Sequence, residues 1–191
     1  MDRREALQRV AIILGGTVLG ANAFLAGCKP ADDNTGETFT EKDIAMLDEI
    51  AETIIPATNT PGAKAAKVGA FMTVMVNDCY EEKDQKEFKK GINAIREASN
   101  KKYDKTFMEI TPEQRLELLT GLDKEQKDAN QKQKDDPKDD YQKHYFRMMK
   151  ELTLLGFFTS EIGQKQALRY EPVPGRFEGC VPYKKGDRAW A

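Results

Sequence analysis

The sequence predicts a mainly α-helical protein: a small helical bundle with an extended, irregular C-terminal segment. Three observations carry this. Apolar residues recur at helical spacing in five separate stretches between Ile44 and Ile162. Two Thr residues, Thr40 and Thr111, stand where helix starts are expected. Runs of alternating apolar and polar residues, the mark of half-buried strands, are missing.

The chain opens with a segment unlike the rest. Arg3, Arg4 and Arg9 supply positive charge, and Val10 to Leu25 is apolar or small apart from Thr17 and Asn22. A short apolar stretch ending in small residues reads as a signal peptide, because a spanning helix needs roughly 20 apolar residues. Gly15, Gly16 and Gly20 would also weaken such a helix. Residues 1–27 are therefore assigned to the signal. Residues 28–38 form a flexible tether, polar with Pro30 and Gly36. Residues 39–191 form a single helical domain.

The first helix starts at Thr40, with Asp43 three residues on, near the positive end of the helix dipole. Phe39 and Ile44 are spaced for a hydrophobic staple. Ile44, Leu47, Ile50, Ala51 and Ile54 make its apolar stripe, and Pro56 stops it. After the turn-rich Ala57–Gly62, a second helix carries Val68, Phe71, Met72, Met75 and Cys79 on one face. A charged helix from about Glu82 to Lys102 has a narrow stripe of Phe88, Ile92 and Ile95. Thr111-Pro112-Glu113-Gln114 is another helix start, with Pro in the first turn and Gln three residues past the cap. Leu116, Leu119 and Leu122 are its expected buried face. Asp123–Asp140 has almost no apolar side chains and is a solvated helix extension or a loop. Tyr141 to about Leu168 is apolar on more than one face, so its helix is central to the bundle or shared with a partner. Gly156 within it marks a close backbone approach. Tyr170–Pro182 holds three prolines and two glycines among Tyr, Phe and Val, and reads as extended.

Charge and composition exclude several functions. The net charge is −2, and loss of residues 1–27 leaves −3, so nucleic-acid binding is not expected. His144 is the lone histidine and cannot make a multi-histidine metal site; it reads as a helix-edge residue. Ser99 and Ser160 lack a nucleophile-elbow pattern, and no phosphate-cradling glycine motif lies outside the signal. No catalytic residue, metal ligand or cofactor site is assigned to this chain. Besides Cys28 there are two cysteines, Cys79 and Cys180. In an oxidising compartment they could pair and close a loop of about 100 residues, worth up to ~4.7 kcal/mol by chain entropy. Two separate thiols or a bond to a partner are the alternatives.

Leu25-Ala26-Gly27-Cys28 resembles the lipobox of bacterial lipoproteins, which implies acylation of Cys28 and cleavage before it. Each buried CH2 of an acyl chain contributes about 0.8 kcal/mol to anchoring. Arg3-Arg4 with Leu7 resembles a twin-arginine export signal, although Asp2, Ala6 and Gln8 depart from its usual residues. A general secretory signal is the alternative. Both imply a protein exported to the periplasmic side of a membrane. Lys29 and Asp32-Asp33 resemble signals that carry some lipoproteins to the cell surface.

Ile54-Ile55-Pro56 leads through Thr60-Pro61-Gly62-Ala63 into Val68 and Phe71. Later, the Leu152–Ser160 run LTLLGFFTS leads into Tyr170-Glu171-Pro172-Val173-Pro174-Gly175. In this order, behind an export signal, the pair of segments resembles the gluconate 2-dehydrogenase subunit 3 family over about residues 40–183. The resemblance implies a non-catalytic small subunit. Its partners would be a large FAD-dependent dehydrogenase of the glucose-methanol-choline type and a c-type cytochrome carrying haem. It would assist folding, export or anchoring of the catalytic subunit. Leu155, Phe157, Phe158, Tyr170, Phe177 and Tyr183 are the expected partner interface, since one small bundle cannot cover all of them. The competing class is a stand-alone exported lipoprotein with a structural or ligand-binding role.

Overall fold

The computed structural model describes residues 38–137, 141–173, 175–176 and 178–191. Arg3, Arg4, Cys28 and Phe177, given roles by the sequence, lie outside these residues. From Phe39 onward the described chain forms one compact unit of five α-helices: α1 (Glu41–Ile54), α2 (Val68–Cys79), α3 (Glu82–Tyr103), α4 (Pro112–Asp135) and α5 (Tyr145–Thr159). A π-helical turn, Gly163–Ala167, follows α5. Among the described residues there is no strand, and one isolated parallel bridge joins Arg169 and Trp190. The fold is mainly α, as the periodicity predicts.

Local signals set the helix starts. Thr40 Oγ1 accepts the Asp43 N–H at 3.2 Å, and the Asp43 carboxylate accepts the Thr40 N–H at 2.7 Å, which is a complete capping box. Thr111 and Gln114 make the same reciprocal pair at α4. Phe39 packs edge-on against Phe88, with ring centroids 6.0 Å apart, and so fixes where the chain enters the domain. His144 caps α5, its Nδ1 accepting the Phe146 N–H at 3.2 Å. Its half-buried position lowers its pKa, so the imidazole stays neutral and keeps that lone pair at neutral pH.

α5 is the central element. It packs against each of the other four helices, and Phe146, Met148, Met149, Leu152 and Phe157 on it are buried. The core is completed by Leu47, Ile50, Val68, Met72, Val76, Phe88, Ile95 and Phe107. Close approach of helices is set by glycines. The Phe71 ring of α2 lies on Gly156 of α5, where an added Cβ would stand 2.6 Å from Cδ1. Gly69 sits where α2 crosses α1, and its N–H donates to Asp48 Oδ1 at 2.7 Å.

The structure corrects three expectations. Leu116 is exposed, and Leu118 joins Leu119 and Leu122 in the buried face. The reason is Arg115, whose guanidinium turns inward to the Phe107 and Met108 carbonyls at 3.1 and 2.8 Å and takes the place beside α1. Cys79 lies at the exposed end of α2 instead of on its apolar face, which continues through Thr73 and Val76. Cys79 and Cys180 are both exposed and unbonded, one of the alternatives the sequence leaves open. Phe157, expected at an interface, is 2% exposed and belongs to the core.

Gly69→Ala would drive a Cβ to 2.5 Å from the Ile44 carbonyl and 2.8 Å from the Asp48 amide nitrogen. Backbone cannot yield easily, so the variant loses roughly 1–3 kcal/mol. Gly121→Ala on α4 meets nothing within 4 Å. It gains roughly 0.5–1 kcal/mol from helix propensity. Urea denaturation midpoints check both signs. Asp123 gives the pH dependence. Hydrogen bonds from Lys127 and from Lys150 of α5 hold its carboxyl at about 2. A depressed carboxyl contributes stability above its unfolded pKa, near 3.9, and loses it as pH falls toward 2. Between pH 4 and pH 2 the unaltered chain should therefore lose about 1 kcal/mol more than Asp123→Asn, after allowance for solvent screening. Acid titration of both unfolding free energies measures the difference.

Candidate functional site

The segment between α1 and α2 carries the first group of resemblance residues, and its role is structural. The Glu52 carboxylate accepts the Ala57 and Lys64 N–H groups, both at 2.9 Å, and so spans the loop. Gly62 lies against that carboxylate, and a Cβ there would overlap it. The Ala63 N–H donates to the Ile55 carbonyl at 3.0 Å, and Ala63 is buried. Lys67 at the start of α2 has φ +54°, which turns the chain into the helix. Three residues earlier along α1, Glu49 pairs with Lys64 and accepts Arg115 Nη1 at 2.5 Å. Both partners of the Arg115–Glu49 pair are 14% exposed, so it is a largely desolvated link between α1 and α4.

The second group of resemblance residues divides between core and surface. Residues one hundred degrees apart on a helix face different ways. Leu152, Thr153, Gly156 and Phe157 turn inward, whereas Leu154, Leu155 and Phe158 form an outward edge at 43%, 46% and 38% exposure. The Phe158 ring stands edge-on to Phe157, centroids 5.2 Å apart, so the exposed ring is held by a core ring. Ser160 ends α5: its Oγ donates to the Phe157 carbonyl at 2.7 Å and accepts the Gly163 N–H at 3.0 Å. The π-helical turn follows, and Gln164 donates to the Phe158 carbonyl at 2.9 Å.

Beyond this turn, apolar side chains stand in water. Tyr170, Val173, Val181 and Tyr183 are exposed, Tyr183 and Val173 nearly fully. Of the residues the resemblance implies for an interface, Leu155, Phe158, Tyr170 and Tyr183 are exposed, Phe157 is buried, and Phe177 lies outside the described residues. Sequence reasoning missed Leu154, which follows from the same helical phase, and Val74 on α2, which is 56% exposed.

The grooves offer no converging chemistry. A groove of about 680 Å³ between α1, α3 and the loop before α4 has Met46 and Phe107 as its floor and the Asp43–Arg96 ion pair at its rim. Two smaller clefts of about 350 and 210 Å³ share Thr53 and Leu116 between α1 and α4. Among the described residues, no three of His, Cys, Asp and Glu gather as a metal site. No described helix is long and apolar enough to cross a membrane.

These features define a small helical protein whose charged groups brace its own fold and whose exposed apolar side chains include one edge of α5 and several in the segment after it. The chain belongs to the gluconate 2-dehydrogenase subunit 3 family, which it matches over residues 41–175. The match begins at the first residue of α1 and ends inside the exposed segment, so it takes in both groups of resemblance residues. Comparison with curated proteins and with solved structures gives no match.

Proposed function

We propose that this chain is the non-catalytic small subunit of a membrane-associated, FAD-dependent dehydrogenase of the glucose-methanol-choline type. The substrate class is a sugar or sugar acid, and the subunit assists folding, export or anchoring of the catalytic subunit. Family membership supports the subunit role. The observation that carries the reading is the apolar edge of Leu154, Leu155 and Phe158, followed along the chain by exposed Tyr170 and Tyr183. Exposed apolar groups in such number mark a protein contact, and aromatics are favoured at interface centres.

FAD belongs to the catalytic subunit in this reading. Electrons leave through a c-type cytochrome subunit carrying the haem. The small subunit is exported under Arg3-Arg4 and held by acyl chains on Cys28 at the periplasmic side of the membrane. Its eleven-residue tether, residues 28–38, links the anchor to the domain.

The interface is tested with paired variants. Phe158→Asp should keep its helical circular dichroism and lose co-purification of the flavin-containing dehydrogenase. Central aromatic anchors cost on the order of 2 kcal/mol or more when removed. Phe157→Asp buries a charge in the core and should unfold the domain. A folded Phe158→Asp protein that still brings down the flavoprotein contradicts the assignment. The anchor is tested by mass spectrometry of the membrane fraction. The mature chain should begin at an acylated Cys28, and Cys28→Ala should accumulate uncut. A native N-terminus without acyl mass overturns the anchor.

A further inference from the structure

The exposed segment after α5 is closed by contacts that bury almost nothing. The Arg169 N–H donates to the Ala189 carbonyl at 2.8 Å, and the Ala191 N–H donates back to the Arg169 carbonyl at 3.2 Å. The Arg169 guanidinium lies over the Trp190 ring, 4.6 Å from its centroid. Arg188 donates to the Gln166 and Lys165 carbonyls at 3.0 and 3.4 Å, satisfying acceptors left open at the end of the π-helical turn. The chain reaches this bridge through a turn at Lys184–Asp187, where Gly186 has φ +95°, a conformation that favours glycine. Trp190 itself stays 59% exposed.

Such contacts do little for the core. They fix where the exposed segment leaves the domain and where it returns. We infer that residues 188–191 are a clasp that presets this segment, with Tyr170, Val173, Val181 and Tyr183, for docking on the dehydrogenase subunit. The inference rests on the subunit reading above. A free tail would have to be ordered when it docks, and that entropy is subtracted from affinity. A tail already closed at both ends has lost part of it before the partner arrives. The family match ends at residue 175, so the clasp lies beyond the matched part of the chain. Presetting is thus a property of this chain in addition to family membership.

Trp190 is the only tryptophan, so its fluorescence reads the clasp directly in the full chain. Arg169→Ala should raise acrylamide quenching and lower the anisotropy of Trp190, with helical circular dichroism unchanged. Identical quenching in the two proteins means there is no clasp and overturns the inference. The second measurement is affinity for the purified dehydrogenase subunit. The double variant Arg169→Ala, Arg188→Ala should bind roughly fivefold to tenfold more weakly, and Phe158→Asp should not bind. Loss of binding in Phe158→Asp alone, with full affinity in the double variant, overturns presetting and leaves the subunit reading intact. Full affinity in both variants overturns the interface, and this inference with it.

Discussion

Three carboxylates on α1 hold the rest of the domain in place. Asp48 accepts the Gly69 N–H and so pins α2 where it crosses α1. Glu49 binds Lys64 and Arg115, tying α1 to the loop and to α4. Glu52 accepts two loop amides and closes the turn between α1 and α2. Burial pushes the Asp48 carboxyl up, and the Gly69 hydrogen bond offsets part of that cost. Charge-assisted bonds of this kind are shorter and stronger than neutral ones, and they leave few buried donors open. With α2 seated, Phe71 lies on Gly156 and fixes the rotation of α5. That rotation sends Phe157 inward and leaves Leu154, Leu155 and Phe158 outside. The exposed apolar edge is thus a consequence of how α1 holds α2.

Much of this fold was legible because its signals are local. Thr40 with Asp43 and Thr111 with Gln114 sit three residues apart, and the cap geometry needs nothing else. The stripe of Phe88, Ile92 and Ile95 on α3 is narrow and unbroken, so its buried side is unambiguous. The phase of α4 was not legible, because spacing alone cannot tell that Arg115 turns inward to carbonyls in the preceding loop. Adjacent Phe157 and Phe158 read alike in sequence, and only the seating of α5 separates core from surface. The Pro-Gly loop after α1 was visible as a loop, but its binding to Glu52 depends on contacts up to twelve residues apart. A hint was present: acidic residues beside an apolar stripe, just before a loop rich in amides without helical partners. The bridge between Arg169 and Trp190 joins residues with no periodic pattern, and nothing in the sequence announces it.

The two segments that carry the resemblance have different physical jobs. The first is consumed in building the domain, since its prolines, glycine and buried Ala63 seat α2. The second supplies core residues on one side of α5 and spare apolar surface on the other. Family membership and an apolar surface without a home in the monomer point the same way, toward a subunit that works through contact. Such a role asks for rigidity where the contact is made. α5 has it from the four helices packed against its inner face, and the tail has it from a return contact to the end of the π-helical turn.

The central claim is that the outer edge of α5 and the following segment meet the catalytic subunit, while the carboxylate-braced end of the domain does not. Hydrogen exchange on the purified complex and on the free chain tests it most directly. The account predicts new protection in the complex at residues 154–158 and 170–183, with unchanged exchange across residues 55–67. Protection centred on residues 55–67, with 154–158 and 170–183 exchanging as in the free chain, would contradict it.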